Sequence, residues 1–167
     1  MNARIILMAL ALLPLTTVSA QETKVKLYDP AASPAQDIRN AIDLATAQKK
    51  HVLIQAGGNW CGWCYRFDQF CREDARIDSS LKASYVIVHL NYSKENFNQD
   101  AFRDLGFPQR FGFPVFIILD GQGKRIHTQN SGLLEKDKSY DRDKVLGFLW
   151  DWSPDAFDPD KYKTNKP

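Results

Sequence analysis

Only three cysteines and two methionines occur among the 167 residues. Three cysteines are too few for the disulfide framework of a small secreted domain, and an odd count leaves one thiol unpaired. An excess of one charge is also missing. The chain has 22 Lys and Arg against 20 Asp and Glu, a formal net charge of +2. So near a balance gives no electrostatic case for nucleic acid or an anionic membrane surface as a partner. Beyond the N-terminal stretch no run is apolar over the roughly 20 residues that a membrane helix needs. No repeat or composition shift marks a second domain. With 44% hydrophobic and 12% aromatic residues, the composition is globular and not disordered.

The N-terminal stretch has the grammar of an export signal. Arg4 supplies a basic start, Ile5 to Leu13 an apolar run too short to span a bilayer, Pro14 a stop, and Val18-Ser19-Ala20 a small-residue cleavage site. A signal peptide over residues 1–20 is therefore expected, the alternative being an uncleaved anchor. No cysteine near Ala20 suggests lipidation. Residues 21–153 are then expected to form one domain, and 154–167 a short frayed tail. Export would place the protein in the periplasm or outside the cell, where disulfides persist. No stable membrane insertion is expected after cleavage.

Two of the three cysteines stand in Trp60-Cys61-Gly62-Trp63-Cys64. Just upstream, Val52-Leu53-Ile54 reads as a buried strand, broken by Gly57-Gly58-Asn59, and Tyr65 to Cys71 has helical spacing. A thiol at a strand-to-helix turn faces unpaired backbone N–H groups and the positive end of the helix dipole, which stabilise a thiolate. The thiolate is the species that attacks a disulfide. Cys61 is thus expected to be an exposed nucleophile and Cys64 a more buried resolving thiol. A permanent structural disulfide is one alternative. Zinc is another, but the remaining Cys and His residues repeat no ligand spacing. Cys71 lies seven residues past Cys64, about 700° of rotation and roughly 10 Å of rise on a helix. That exceeds the ~7 Å between Cα atoms that a disulfide tolerates. Cys71 shares its face with Phe67 and reads as a core thiol, the alternative being a regulatory or intermolecular disulfide.

Elsewhere, Lys24 to Tyr28 alternates as a short edge strand. Ser33 and Pro34 open a helix that runs to about Gln48, with Gln36 as capping-box partner. His51 to Ala56, Tyr85 to Leu90 and Pro114 to Leu119 read as strands, and Ser79 to Ser84 and Gln99 to Leu105 as short helices. Asp120-Gly121-Gln122-Gly123 is a hairpin turn leading to a strand over Arg125 to Thr128. Asp141 to Trp152 closes the domain as a helix. The order β-α-β-α-β-α-β-β-α implies a sheet covered by helices on both faces, with a hairpin at one edge.

This order, with Trp-Cys-Gly-x-Cys after the first strong strand, resembles the thioredoxin family over roughly Lys24 to Trp152. The resemblance implies an α/β three-layer fold with a central mixed sheet. A second motif supports it: Gly112-Phe113-Pro114-Val115 sits where family members carry a cis-proline facing the cysteines. Cis is about 5–6% of X–Pro bonds in folded proteins, so only the resemblance makes cis the expectation at Pro114. Phe113 would then offer its backbone to an extended substrate peptide. Trp60 and Trp63 are expected to shape the substrate surface. The chain departs from the family at three places. Gln55 occupies the position of a buried aspartate that helps move a proton from the second thiol, and an amide cannot act as a base. His89 aligns with a lysine and is a candidate for redox tuning near neutral pH. Trp63 replaces the proline between the cysteines.

The reading is a periplasmic thiol–disulfide oxidoreductase that exchanges the Cys61/Cys64 pair with protein disulfides. No cofactor or metal is needed. No histidine lies between the cysteines, as it does in strongly oxidising relatives. This leans the reading towards a reductase, recharged by a membrane electron relay and acting as a monomer. The alternative is a thioredoxin-like binding module, a chaperone or a copper(I)-handling protein, without turnover.

Overall fold

The computed structural model describes residues 26–163. Its core is a four-stranded sheet in the order β2-β1-β3-β4. The strands are β1 (His51–Gly57), β2 (Tyr85–Asn91), β3 (Val115–Leu119) and β4 (Arg125–Asn130). β1 pairs parallel with β2 and antiparallel with β3, and β3 pairs antiparallel with β4, so the sheet is mixed. Every residue of β1 and β3 is buried, as the apolar runs Val52–Leu53–Ile54 and Val115 to Leu119 require of strands covered on both sides. β2 is an edge, and Ile87 on it is 44% exposed.

The strand period of two sends alternate side chains to opposite layers. Val52, Ile54, Val115 and Ile117 face α1 (Pro34–Gln48) and the short helix Gln99–Asp104, where Ala41, Ala45 and Phe102 are buried. Leu53, Phe116 and Ile118 face the other layer: α2 (Gly62–Glu73), α3 (Ala75–Ser84) and α5 (Arg142–Asp151), the Gln99–Asp104 helix being α4. Phe67, Ile77 and Leu149 fill that side. Gln55, two residues after Leu53, therefore points under α2.

Local chemistry sets the helix ends. Asp74 caps α3 by accepting from the N–H groups of Arg76 (2.9 Å) and Ile77 (3.1 Å). Asp141 does the same for α5 with Asp143 and Lys144, so it is the cap and not the first helical residue. Pro34 opens α1 as expected, but Ser33 makes no side-chain cap and Gln36 bonds Asn40 and Arg39 instead, so the capping box is not formed. The helix expected over Ser79 to Ser84 begins earlier, at Ala75, because the Asp74 cap starts it.

Two further expectations need correction. Lys24 and Val25 lie outside the described residues, while residues 26–28 form no strand. Tyr28 is instead almost wholly buried, its backbone held by the Asn59 side chain, which takes the place of a strand neighbour. The tail does not fray where it is described. Pro154–Phe157 and Pro159–Tyr162 form 3₁₀ turns, and Phe157 packs edge-on against His51 at 5.6 Å. A two-residue hairpin, β5 (Glu135–Lys136) with β6 (Ser139–Tyr140), escaped the sequence pattern because strands this short show no period. No described helix is long and apolar enough to cross a membrane.

Candidate active site

The loop leaving β1 delivers Cys61 to the N-cap of α2, where its extended backbone stops and the helix begins. Cys61 and Cys64 are joined by a disulfide with their Cα atoms 5.3 Å apart. The backbone N–H of Cys64, one of the four that a helix start leaves without a partner, donates to Cys61 Sγ at 3.1 Å. The same donor would stabilise a thiolate on Cys61 once the bond is reduced. The exposure expected of Cys61 is not found: its residue is 4% exposed and Cys64 0%. The pair shares a buried cluster with Tyr28, and Leu27, Trp63 and Phe113 pack against that cluster.

Phe113–Pro114 is a cis peptide bond, as the family resemblance implied. Pro114 is buried, and Phe113 is half-buried against the cysteines. Trp60 is 59% exposed, anchored by its indole N–H to the Tyr92 carbonyl at 2.7 Å and set edge-on to Phe113 at 5.5 Å. Phe113 in turn stacks on Tyr92 at 4.9 Å. Trp60 and Phe113 thus form a continuous aromatic rim beside the disulfide. Trp63 is less of a surface feature than its place between the cysteines suggested. It is half-buried, edge-on to Tyr140 at 5.5 Å, with the Arg66 guanidinium 4.6 Å over its ring.

Beneath the disulfide, Gln55 is buried and spends both amide N–H groups, on the Tyr28 hydroxyl at 3.0 Å and the Cys64 carbonyl at 3.1 Å. The structure therefore brings Gln55 to the site as a positioning group. Gly57 explains the tight approach. A Cβ there would overlap Cys64 Sγ and stand 2.7 Å from the Tyr28 hydroxyl oxygen, so those two atoms flank one small space that only glycine leaves open. His89 does not touch the cysteines. It meets the Tyr28 ring edge-on at 5.5 Å. Burial pulls its pKa down, against the opposing charge of Asp68, which favours a neutral imidazole at neutral pH. Burial likewise pushes the Tyr28 hydroxyl up, partly offset by its bond from Gln55.

Sequence reasoning missed Tyr28, Asn59 and Asp68. Tyr28 is 31 residues from the Asn59 side chain that fixes it, and no local pattern reports such a pairing. Asn59 also accepts from the Tyr65 hydroxyl at 2.9 Å, which ties α2 to the same knot. Asp68 was within reach of the pattern: it lies four residues after Cys64, one turn along the same helix face.

Comparison with known proteins agrees with the geometry. The structure resembles that of a disulphide isomerase from Xylella fastidiosa Temecula1, at 20% sequence identity with a TM-score of 0.66, over 74% of this chain and 94% of the other. It also resembles the C-terminal domain of Neisseria meningitidis DsbD in the oxidised form, at 14% identity with a TM-score of 0.51, over 71% of this chain and 95% of the other. Both likenesses are of fold. No curated protein sequence matches the chain. Residues 38–141 match the family described as thioredoxin-like domain. That span takes in the helix-capping dithiol and the proline strand facing it, and with them the chain belongs to the thioredoxin-like family and is a thiol–disulfide oxidoreductase.

Proposed function

We propose that this oxidoreductase works as an exported reductase of protein disulfides. The observation that carries the reading is the Cys61–Cys64 pair itself: two sulfurs within bonding distance at a helix start, one of them receiving a backbone N–H. In the reduced form Cys61 attacks a client cystine, forms a mixed disulfide and releases one client thiolate. Cys64 then attacks Cys61 Sγ, closes the ring and releases the second. Trp60, Trp63 and Phe113 receive the segment around the client cystine, and the Phe113 backbone beside Pro114 pairs with that segment in extended form.

The location follows from the sequence of residues 1–20, which has the features of a cleaved signal peptide and lies outside the described residues. Residues 21–153 then make up the working domain and 154–167 a short tail. The reducing direction is supported by the absence of histidine between the cysteines, with Gly62 and Trp63 in its place. A reductase in an oxidising compartment needs electrons from elsewhere, and a membrane relay is the proposed donor. The protein acts as a monomer.

Insulin reduction by dithiothreitol tests the reading. Addition of the protein is expected to accelerate the reaction catalytically, and Cys61→Ser to abolish the acceleration. Stoichiometric copper(I) binding with no turnover would replace this reading with the binding-module alternative. In cells, Cys64→Ala is expected to accumulate mixed disulfides with exported clients, which identifies the substrates.

A further inference from the structure

Between the end of β2 and the turn that leads to Pro114 the surface opens into a hollow of about 440 Å³, walled by the rings of Tyr92, Phe97, Phe102 and Phe107. Neither cysteine nor Pro114 lines it. One ring, Phe113, separates its wall from the dithiol cluster. Tyr92 is the shared element: its carbonyl holds the Trp60 indole, and its ring meets Phe113 at 4.9 Å, Phe97 at 5.1 Å and Phe102 at 5.1 Å. Phe102 is fully buried, whereas Phe97 is 42% and Phe107 54% exposed. Rings left in water beside a reaction site mark an interaction surface. The charges at the edge cancel. Arg103 is ion-paired with Asp100 at 2.6 Å and with Asp104 at 3.1 Å, so the hollow selects for apolar surface and not for a charge.

Phe107 stands in this wall against its backbone preference. Gly106 has φ +75°, the left-handed residue with which a helix commonly ends. It follows α4, and the Phe107 N–H bonds back to the Phe102 carbonyl at 2.7 Å, as such an ending requires. Phe107 then repeats the left-handed conformation, with φ 56° and ψ 52°. No helix end calls for a second such residue, and for a bulky side chain the conformation is a genuine outlier. Arg110 Nη1 fastens the turn by donating to the Phe107 carbonyl at 2.8 Å and to that of Gly106. The result is an aromatic ring facing water where glycine would sit without strain. A ring more than half exposed recovers little of that strain through packing, so its use lies in contact with something outside the fold.

We infer that this hollow receives a bulky apolar side chain of the client, aromatic by preference, carried two to four residues from the cystine under attack. The inference rests on the reductase reading and adds which polypeptides the site selects. From Phe113 through Tyr92 to Phe97 the ring centroids span at most about 10 Å, roughly three residues of extended chain. A client segment that pairs in extended form with the Phe113 backbone therefore brings a side chain to Tyr92 without bending. Its entry covers the exposed faces of Phe97 and Phe107, and only a chain with such a residue near its cystine gains that contact. In a folded protein large apolar side chains of this kind are mostly buried. The clients selected are thus unfolded or locally opened chains.

Synthetic peptides with a single cysteine joined to thionitrobenzoate test the selection. Cys61 of the reduced, full exported protein attacks the peptide sulfur, a Cys61–peptide disulfide forms, and coloured thionitrobenzoate leaves with the electron pair. Cys64 then attacks Cys61 Sγ and frees the peptide as a thiolate. Phenylalanine is placed in turn at one to four residues on either side of the cysteine, against a reference of alanine and serine. The readout is the ratio of each second-order rate to that of the reference. Phenylalanine two to four residues away is expected to raise the ratio at least about tenfold, the scale of burying one such ring. Phe107→Gly is expected to remove that gain while keeping or raising the midpoint of urea unfolding, because the strain leaves with the ring. Phe97→Ala, from another part of the wall, is expected to reduce the gain as well. Equal ratios for all the peptides, or a gain that survives Phe107→Gly, overturn the inference. So does a dimer in sedimentation that Phe107→Gly disperses, since a second copy would then fill the hollow. A reduced protein no faster than free cysteine with any of the peptides would instead overturn the oxidoreductase reading.

Discussion

Cys64 and Cys71 occupy one face of α2, seven residues apart, with Phe67 between them on the same buried side. They are the same residue type at nearly the same burial, 0% and 5% exposed. Cys64 is bonded to Cys61 at the first turn, whereas Cys71 is a free thiol two turns on. Around Cys71, burial pushes the thiol pKa far up, and the carboxylates of Asp68, Asp74 and Asp78 push it further. The helix start offers N–H groups to sulfur and the last turn, where Cys71 sits, offers none, so position along the helix decides which cysteine reacts.

The largest effect expected from breaking this contrast is on turnover. Cys61→Ser should reduce insulin reduction by a factor on the order of 10³ or more, towards the uncatalysed rate, whereas Cys71→Ala should keep it within about twofold; initial rates check both. Phe67→Ala removes the ring that separates the two thiols. Phe67 is 2% exposed and packs on Phe116 at 4.3 Å and Tyr140 at 5.0 Å, so the loss of stability should be about 3–5 kcal/mol in urea unfolding.

Alkylation sharpens the comparison in the reduced protein. Cys61 should react with iodoacetamide at least about a hundredfold faster than Cys71 at neutral pH, since the raised thiol has almost no thiolate there. Mass spectrometry of digests reads the two rates. The smallest effect concerns the end of the helix. Asp74 caps α3 and meets Arg142 Nε at 2.5 Å. The bond from Arg142, and then that from Ile77, hold its carboxyl below the usual range. A depressed folded-state pKa adds stability above the unfolded value, near 4, that is lost as the pH falls through the folded value. Asp74→Asn should therefore flatten the fall of unfolding midpoint on acidification below about pH 4, while leaving the Cys61 reaction in place.

The parts that sequence made legible are those with local causes. The apolar runs within β1 and β3 required burial on both faces, Pro34 marked the start of α1, and Asp120 to Gly123 turned β3 into β4. Cys61, Cys64 and Pro114 were likewise placed by short motifs. What stayed hidden depends on distant partners. Tyr28 looks like a strand residue until Asn59 takes up its backbone. The tail looks polar and loose until Phe157 meets His51, and Trp152 stacks on His127 with ring centroids 4.0 Å apart. Cys61 looked exposed because no linear pattern brings it into one cluster with Tyr28, against which Leu27 and Phe113 pack.

Asn59 grips residue 28 by the main chain alone, one amide oxygen to its N–H and the amide nitrogen to its carbonyl. A clasp of that kind is indifferent to which side chain the residue carries. The floor of the reaction chamber is thus a replaceable tile: its chemistry can be exchanged while the fastening beneath it stays closed.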